Sequence, residues 1–302
     1  MSRTVLVLGH PRRPEAMAAC TCLVELLCSA GLHVLLLLSD DVDVPGCPDA
    51  ERVDAAAAQA ALDVVEIVLV LGGDGTVLRA AELVVGTDVP LLGVNLGHVG
   101  FLAEVEPEEL AATVAHVVDR DYAVEERSTL RADLLVDGEV TSSSWALNDV
   151  SLEKGARERI LELVVEVDGR PVTSFGCDGV VVATPTGSTA YAFSAGGPVV
   201  WPSVEAILMV PISAHALFAR PLVVPTTAVL AMVVHERTAA DAVMWCDGRR
   251  ALTVPRGACV EVTGSERTVR LARVTRAPFA DRLVAKFQLP VQGWRGSART
   301  GG

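Results

Sequence analysis

Val64-Val65-Glu66-Ile67-Val68-Leu69-Val70-Leu71 is an almost wholly apolar run that stops on Gly72-Gly73-Asp74-Gly75-Thr76. A strand this apolar must be covered on both faces, which a sheet with one wet face does not provide. Residues 5–9 and 32–38 share the property, and a helical stretch, 15–30, lies between them with Gly31 as its C-cap. Another apolar stretch, 89–94, follows a helix expected from Val77 to about Val85. Short βαβ alternation of this kind predicts a doubly wound, Rossmann-like parallel sheet, an α/β domain over residues 1–127. Ligands of such sheets sit at the carboxyl ends of the strands.

The rhythm changes after Arg127. Asp-Gly pairs recur at 137–138, 168–169 and 247–248 between apolar runs. Both positions of a two-residue hairpin turn want positive φ, so these pairs predict hairpins and a β-rich domain over 128–275. Residues 276–302 read as a tail whose 281–287 segment forms a short helix packing back on the first domain, with fraying from Arg295.

A formal net charge of −13 argues against nucleic acid or an anionic membrane as partner. The apolar runs of the first half are too short to span a bilayer, and Met1-Ser2-Arg3-Thr4 leads into a strand rather than a signal-peptide layout. Seven cysteines, an odd number without Cys-x-x-Cys or zinc-like histidine spacing, read as reduced core thiols of a cytoplasmic protein.

The glycine turn after 64–71 is where chemistry concentrates. Glycines Gly72 and Gly73 before a helix let backbone N–H groups approach a phosphate closely, with Thr76 beside them. Asp74 is a carboxylate, which phosphate repels. It is then an acidic helix cap, a ligand for a metal carried by phosphates, or a base facing a hydroxyl. No Gly-Lys-Ser/Thr follows, and Gly9 is followed by His10-Pro11-Arg12-Arg13, so neither the P-loop nor the dinucleotide fingerprint is present. Arg79 is a phosphate contact or a solvated surface arginine.

Three further patterns stand out. Gly93-Val94-Asn95-Leu96-Gly97-His98-Val99-Gly100-Phe101-Leu102 closes a strand, and Phe101 offers a stacking face for a base or is plain core. Asp178 and the strand after it lead to Thr184-Pro185-Thr186-Gly187-Ser188-Thr189-Ala190-Tyr191-Ala192-Phe193-Ser194, a dense hydroxyl and glycine set suited to a nest for phosphate or ribose. Asn148-Asp149 sets an amide beside a carboxylate, able to read an adenine edge and a ribose diol together. Arg159, after Lys154 and Arg157, is a phosphate partner or part of a solvated strand edge.

Together, Gly72-Gly73-Asp74-Gly75-Thr76, the 95–102 segment, Asn148-Asp149 and the 184–191 segment resemble the NAD kinases, from Val5 to about Trp294, and most closely actinobacterial members. The first motif is shared with lipid kinases and more loosely with phosphofructokinases; the threonine-rich one is far more specific. The resemblance implies an active site between an α/β domain and a β-rich, NAD-binding domain. The reaction it implies transfers the γ-phosphoryl of ATP, or inorganic polyphosphate in some members, to the 2′-hydroxyl of the adenosine ribose of NAD, giving NADP. Asp74 is then the catalytic residue. Asp74, Gly75, Arg79, Phe101, Asn148, Asp149, Arg159, Asp178, Thr186, Thr189, Ala190, Tyr191 and Ser194 bind NAD, and Gly72, Gly73 and Thr76 form the donor-phosphate loop. Mg²⁺ or another divalent metal accompanies the phosphates without an assigned protein ligand. A homodimer or homotetramer is the family expectation, with NAD or NADH as acceptor.

There are departures. Many members carry Asn-Glu where this chain has Asn148-Asp149, and Asp is one methylene shorter. Pro211-Ile212-Ser213-Ala214-His215 and His10-Pro11-Arg12-Arg13 also differ from the commoner forms. A lipid kinase should lack the 184–194 motif and carry a membrane-facing patch. A non-catalytic dinucleotide sensor should have lost Asp74 or the hydroxyl-rich loop. A carboxylate is a weak base for an alcohol, so Asp74 is expected mainly to orient the hydroxyl and take its proton late.

Overall fold

The computed structural model describes residues 3–9, 14–38, 50–96, 100–156, 159–217, 219–275 and 277–291. His10-Pro11-Arg12-Arg13, Gly97-His98-Val99, Arg157 and the tail from Arg295 lie outside them. The chain divides into two compact units, residues 1–126 with 269–302, and residues 127–268.

In the first unit the order is β1 (Thr4–Gly9), α1 (Pro14–Ser29), β2 (His33–Leu38), β3 (Glu51–Arg52), α2 (Ala55–Ala60), β4 (Val65–Leu71), α3 (Asp74–Val84), β5 (Leu91–Val94), β6 (Ala103–Val105) and α4 (Leu110–Asp119). The strands pair in parallel in the order β3-β2-β1-β4-β5. β1 sits in the middle; the chain builds outward from it through β2 and β3, then returns to its other side with β4 and β5. The reversal lies between β1 and β4, and the crevice at their carboxyl ends is where doubly wound sheets bind ligands.

One face of this sheet turns Val5, Val7, Ile67, Leu69 and Leu71 against Leu23 and Leu27 of α1 and Val114 and Val117 of α4. The alternate residues Leu6, Val68 and Val70 are just as deeply buried on the opposite face. There α3, which packs on β4 and β5, buries Val77, Ala80, Ala81 and Val84. The unbroken apolar reading of β4 thus has a simple cause: both of its faces are inside. Helix α3 begins at Asp74, three residues before the Val77 start expected from sequence. Gly73 holds an extended conformation as N-cap (φ −81°, ψ −172°), and an acidic residue in the first turn is favoured by the helix dipole.

The second unit contains the rest of β7 (Ala123–Val136), then β8 (Glu139–Ala146), β9 (Asp149–Lys154), β10 (Leu161–Val167), β11 (Arg170–Cys177), β12 (Gly179–Ala183), a 3₁₀ turn (Thr186–Thr189), α5 (Tyr191–Ser194), β13 (Ala206–Ile212), β14 (Leu222–Pro225), β15 (Leu230–Val234), β16 (Ala242–Cys246), β17 (Arg250–Val254) and β18 (Cys259–Arg273), the last running on into the first unit. One antiparallel sheet is ordered β14-β13-β12-β9-β16-β17; the other pairing runs β11-β10-β15-β18, with β7 beside β18 and β8 beside β7. Leu130, Leu152, Leu163, Val165, Val182, Met209, Met232 and Met244 meet in one core.

The Asp-Gly turns behave as hairpins. Asp137, Asp168 and Asp247 have φ near 52°, and the glycines after them are also positive. They link β7 to β8, β10 to β11 and β16 to β17.

The second domain ends earlier than the expected 275. Residues 269–275 belong with the first unit, because β18 continues alongside β5, pairing Leu271 with Leu91. Helix α6 (Phe279–Phe287) follows in the same unit, with Phe279 and Phe287 against Phe101.

Candidate active site

In the first unit the geometry centres on Asp74. Its Oδ2 accepts the backbone N–H of Phe101 at 3.1 Å, and its Oδ1 accepts those of Leu102 at 3.0 Å and Ala103 at 3.4 Å. Gly100 makes this possible, since a Cβ there would stand 2.3 Å from Asp74 Oδ1. Arg273 grips the same segment from its carbonyls. Its Nη1 donates to Leu102 O at 3.2 Å, its Nη2 to Phe101 O at 3.5 Å, and its Nε to Glu125. Amides point to a carboxylate and carbonyls to a guanidinium, so 101–103 is fixed from both ends of its peptide dipoles. Arg273 carried no sequence signal; it lies 199 positions from Asp74 in a strand-end context that reads as ordinary β structure.

The glycines around Asp74 do different work. A Cβ on Gly72 would collide with Thr76 Oγ1 at 2.3 Å, so the Thr76 side chain occupies the space that the missing Cβ leaves. A Cβ on Gly73 or Gly75 would meet nothing within 4 Å, so internal packing does not demand glycine at either position. Arg79 is half-buried on α3. The Phe101 ring packs on Phe279 and Phe287, each at 5.8 Å between centroids, and remains partly exposed.

In the second unit a cavity of about 500 Å³ is lined by Asn148, Asp149, Ser151, Glu153, Ala190, Tyr191, Trp245, Asp247 and Gly248. The two-residue period of β9 builds it. Val150 and Leu152 point into the core while Asp149, Ser151 and Glu153 line the cavity. On β16, Trp245 pairs with Ser151 across the ladder, and its neighbours Met244 and Cys246 are core.

Asn148 is placed by three neighbours. Asp247 Oδ1 accepts its N–H at 2.7 Å. Its carbonyl accepts the Thr184 N–H. A Cβ on Gly187 would lie 1.9 Å from that same carbonyl, so only glycine allows the 186–189 turn to approach. Thr184 Oγ1 donates to Leu147 O at 2.6 Å and accepts the Gly187 N–H at 3.0 Å, joining the two segments.

Burial pushes the Asp149 carboxyl up to about 7, and the nearby Asp247 charge adds to the rise against a hydrogen bond from the Tyr191 N–H. Burial raises Asp247 too, but three backbone N–H groups and Arg250 hold it back, so Asp149 is the partner that keeps a proton.

Of the residues singled out in the sequence, Asn148, Asp149, Ala190 and Tyr191 line this cavity together. Thr186 is buried in the adjoining turn, where its carbonyl accepts Thr189 Oγ1. Ser194 is exposed at the end of α5. Asp178 is half-exposed and paired with Lys154, which holds its carboxyl below the usual range. Arg159 is exposed in the turn before β10. Asp178, Arg159 and Ser194 are not among the residues lining the cavity. Trp245, Ser151, Glu153 and Asp247 are, and the sequence reading missed them. The polar alternation of 149, 151 and 153 was the available signal for two; Asp247 was hidden inside a hairpin turn.

Among the described residues no three His, Cys, Asp or Glu side chains gather as a metal cage. Among them, too, no helix is long and apolar enough to cross a membrane.

Comparison with known proteins gives a consistent result. Residues 5–122 match the model of the ATP-NAD kinase N-terminal domain, and 147–274 that of the C-terminal domain. A protein of Leifsonia xyli named NAD kinase is 55% identical over 295 residues, 97% of each chain. One of Streptomyces avermitilis named NAD kinase 2 is 54% identical over 296 residues, 98% of each. The crystal structure of yeast NADH kinase complexed with NADH shares the fold, with a TM-score of 0.83 at 23% identity over 100% of this chain and 90% of that one. With both domain models matched in order, and relatives more than half identical along nearly their whole length, the chain belongs to the NAD kinase family and is a phosphotransferase.

Proposed function

We propose that the protein phosphorylates the 2′-hydroxyl of the adenosine ribose of NAD with ATP, and that Asp74 orients this hydroxyl and accepts its proton. The observation that carries the assignment is the hold on Asp74. A carboxylate fixed by three N–H groups at a helix start cannot swing, yet a carboxylate has about four acceptor positions, so Oδ2 can take one more hydrogen bond. An acceptor hydroxyl is the group that suits it. Phosphoryl transfer depends mainly on in-line positioning and charge neutralisation, which a fixed carboxylate serves better than a strong but mobile base.

The remaining roles follow from chemistry. Asn148 and Asp149 hold the adenine edge and ribose hydroxyls; Ala190 and Tyr191 form a wall beside them. Gly72, Gly73 and Thr76 sit at the start of α3, where backbone amides and the helix dipole favour phosphates, and Gly75 and Arg79 lie in its first turns. Thr186, Thr189 and Ser194, with Phe101, Asp178 and Arg159, are assigned to NAD on family resemblance. Mg²⁺ would neutralise the donor phosphates. Asp74, the carboxylate beside the phosphate loop, is the residue suited to help hold it. Polyphosphate as donor and NADH as acceptor are the variants to compare. We also infer a cytoplasmic enzyme acting as a homodimer or homotetramer; the buried thiols of Cys177 and Cys246, outside any disulfide, support the reducing compartment.

Asp74→Asn tests the assignment. With ATP, Mg²⁺ and NAD, kcat should fall roughly 10²–10⁴-fold while the circular dichroism spectrum and Tm stay near wild type. A folded variant with near wild-type turnover would remove Asp74 from the mechanism.

A further inference from the structure

The Asp247 carboxylate is nearly sealed from solvent, with its side chain 1% exposed. A hairpin turn has no need of this: Asp137, in the same kind of Asp-Gly turn, is well exposed. Asp247 reaches instead across to residues a hundred positions earlier. Its Oδ2 accepts the N–H of Leu147 at 3.0 Å, and its Oδ1 those of Asn148 at 2.7 Å and Asp149 at 3.4 Å. Arg250 Nη2 donates to Asp247 Oδ2 at 3.1 Å and to Trp145 O at 2.7 Å, and its guanidinium lies 4.8 Å from the centre of the Trp145 ring.

We propose that Asp247 is a positioning residue for the acceptor nucleotide: it fixes the Leu147-Asn148-Asp149 backbone and, through its charge, ties acceptor binding to the protonation of Asp149. The proposal rests on the reading that NAD occupies the cavity these residues line.

Two observations carry it. Three successive amides converge on one carboxylate, so the two side chains assigned to the ribose and base cannot shift without breaking a buried, charge-assisted network. Asp247 and Asp149 also line the same cavity, with the Asp149 N–H 3.4 Å from Asp247 Oδ1, and two buried carboxylates this near do not both ionise readily. The groups that face Asp149 are Asp247 from the hairpin turn, Cys246 on β16, Tyr191 on α5 and Glu153 on its own strand, with Arg250 acting on Asp247 from β17. Only the ionised Asp149 can accept hydrogen bonds from two ribose hydroxyls through both oxygens, so acceptor affinity falls as the pH drops and Asp149 takes up its proton.

The test measures kcat and KM for NAD and for ATP between pH 5.5 and 9 in wild-type and Asp247→Asn enzyme. The variant should raise KM for NAD roughly 10-fold or more, with a smaller loss of kcat and KM for ATP within about 2-fold. The acidic fall of kcat/KM for NAD, near pH 7 in wild type, should move to lower pH by about one unit. A purely structural role would weaken both substrates and leave that limb in place; this result, or an unchanged KM for NAD, overturns the proposal. Should Asp247→Asn not fold, Arg250→Met keeps the carboxylate and removes its clamp, and must raise KM for NAD but not for ATP. Calorimetry on the wild type separates the two readings. No NAD binding at any pH defeats the assignment of the cavity, whereas binding with the same affinity at pH 6 and pH 8 defeats the role of Asp247 alone.

Discussion

Three backbone amides hold the Asp74 carboxylate, and Gly100 sits where any side chain would push it away. Gly100→Ala should therefore displace the Asp74 carboxylate without touching its chemistry. A misplacement of about 1 Å can cost roughly 10²-fold in rate, and a loss of that order in kcat with a modest drop in Tm is expected. Unchanged turnover would mean that the site tolerates movement of Asp74. Asp149 carries a second prediction. Its folded-state pKa, about 7, lies above the ordinary 3.8, so the fold favours the protonated form. Its contribution to stability is complete below about pH 3.8 and is lost as the pH rises through about 7. Asp149→Asn should thus be more stable than wild type at pH 8, by about 1–3 kcal/mol, with the gap closing at pH 4. Thermal unfolding across that range checks it; a constant gap contradicts the burial argument. The same variant should lose affinity for NAD, a trade of stability for function expected where a carboxylate is buried for binding.

At the scale of elements, the strand β9 divides its residues between core and cavity by simple alternation, and this was open to reading from Asp149, Ser151 and Glu153. Much of the first unit was legible for similar reasons. Apolar runs covered on both faces gave parallel strands, and Asp-Gly pairs gave hairpins, because both depend on local chemistry. The Asp247 and Arg273 networks were not legible, since each joins a residue to backbone groups about a hundred positions or more away. Nothing in Asp247-Gly248 distinguishes it locally from Asp137-Gly138, yet only tertiary packing decides which carboxylate is buried. The early start of α3 was missed because the extended Gly73 looks in sequence like more turn. The 186–189 turn offers its own test. Gly187→Ala places a methyl against Asn148 O, with no flexible side chain to yield, and should cost about 1–3 kcal/mol in denaturant unfolding while raising KM for NAD. A neutral substitution would show that this approach is not tight.

At the scale of the whole molecule, the first unit is tied together at the amino-terminal ends of its strands. Arg3 Nε meets Glu66 Oε2 at 2.7 Å, Arg120 Nη2 meets the same oxygen at 2.8 Å, and Arg3 also donates to the Val117 and Val118 carbonyls at the end of α4. Hydrogen bonds from Arg3 hold the Glu66 carboxyl down at about 2, against an ordinary 4.5. The stabilisation it provides is present above pH 4.5 and is lost as the pH falls through about 2. Glu66→Gln should lower Tm at pH 7, leave kcat unchanged, and approach wild-type stability toward pH 2. An equal deficit at every pH would contradict this.

Placing a phosphoryl group on the 2′-hydroxyl of NAD leaves a product that can be read by its phosphorus signal. Phosphorus NMR of the products from NAD, ATP and Mg²⁺ tests this transfer most directly. A new phosphomonoester resonance of NADP should appear in step with ADP, and none when the acceptor is 2′-deoxy-NAD. ADP released without that resonance, or equal phosphorylation of the 2′-deoxy compound, would contradict it.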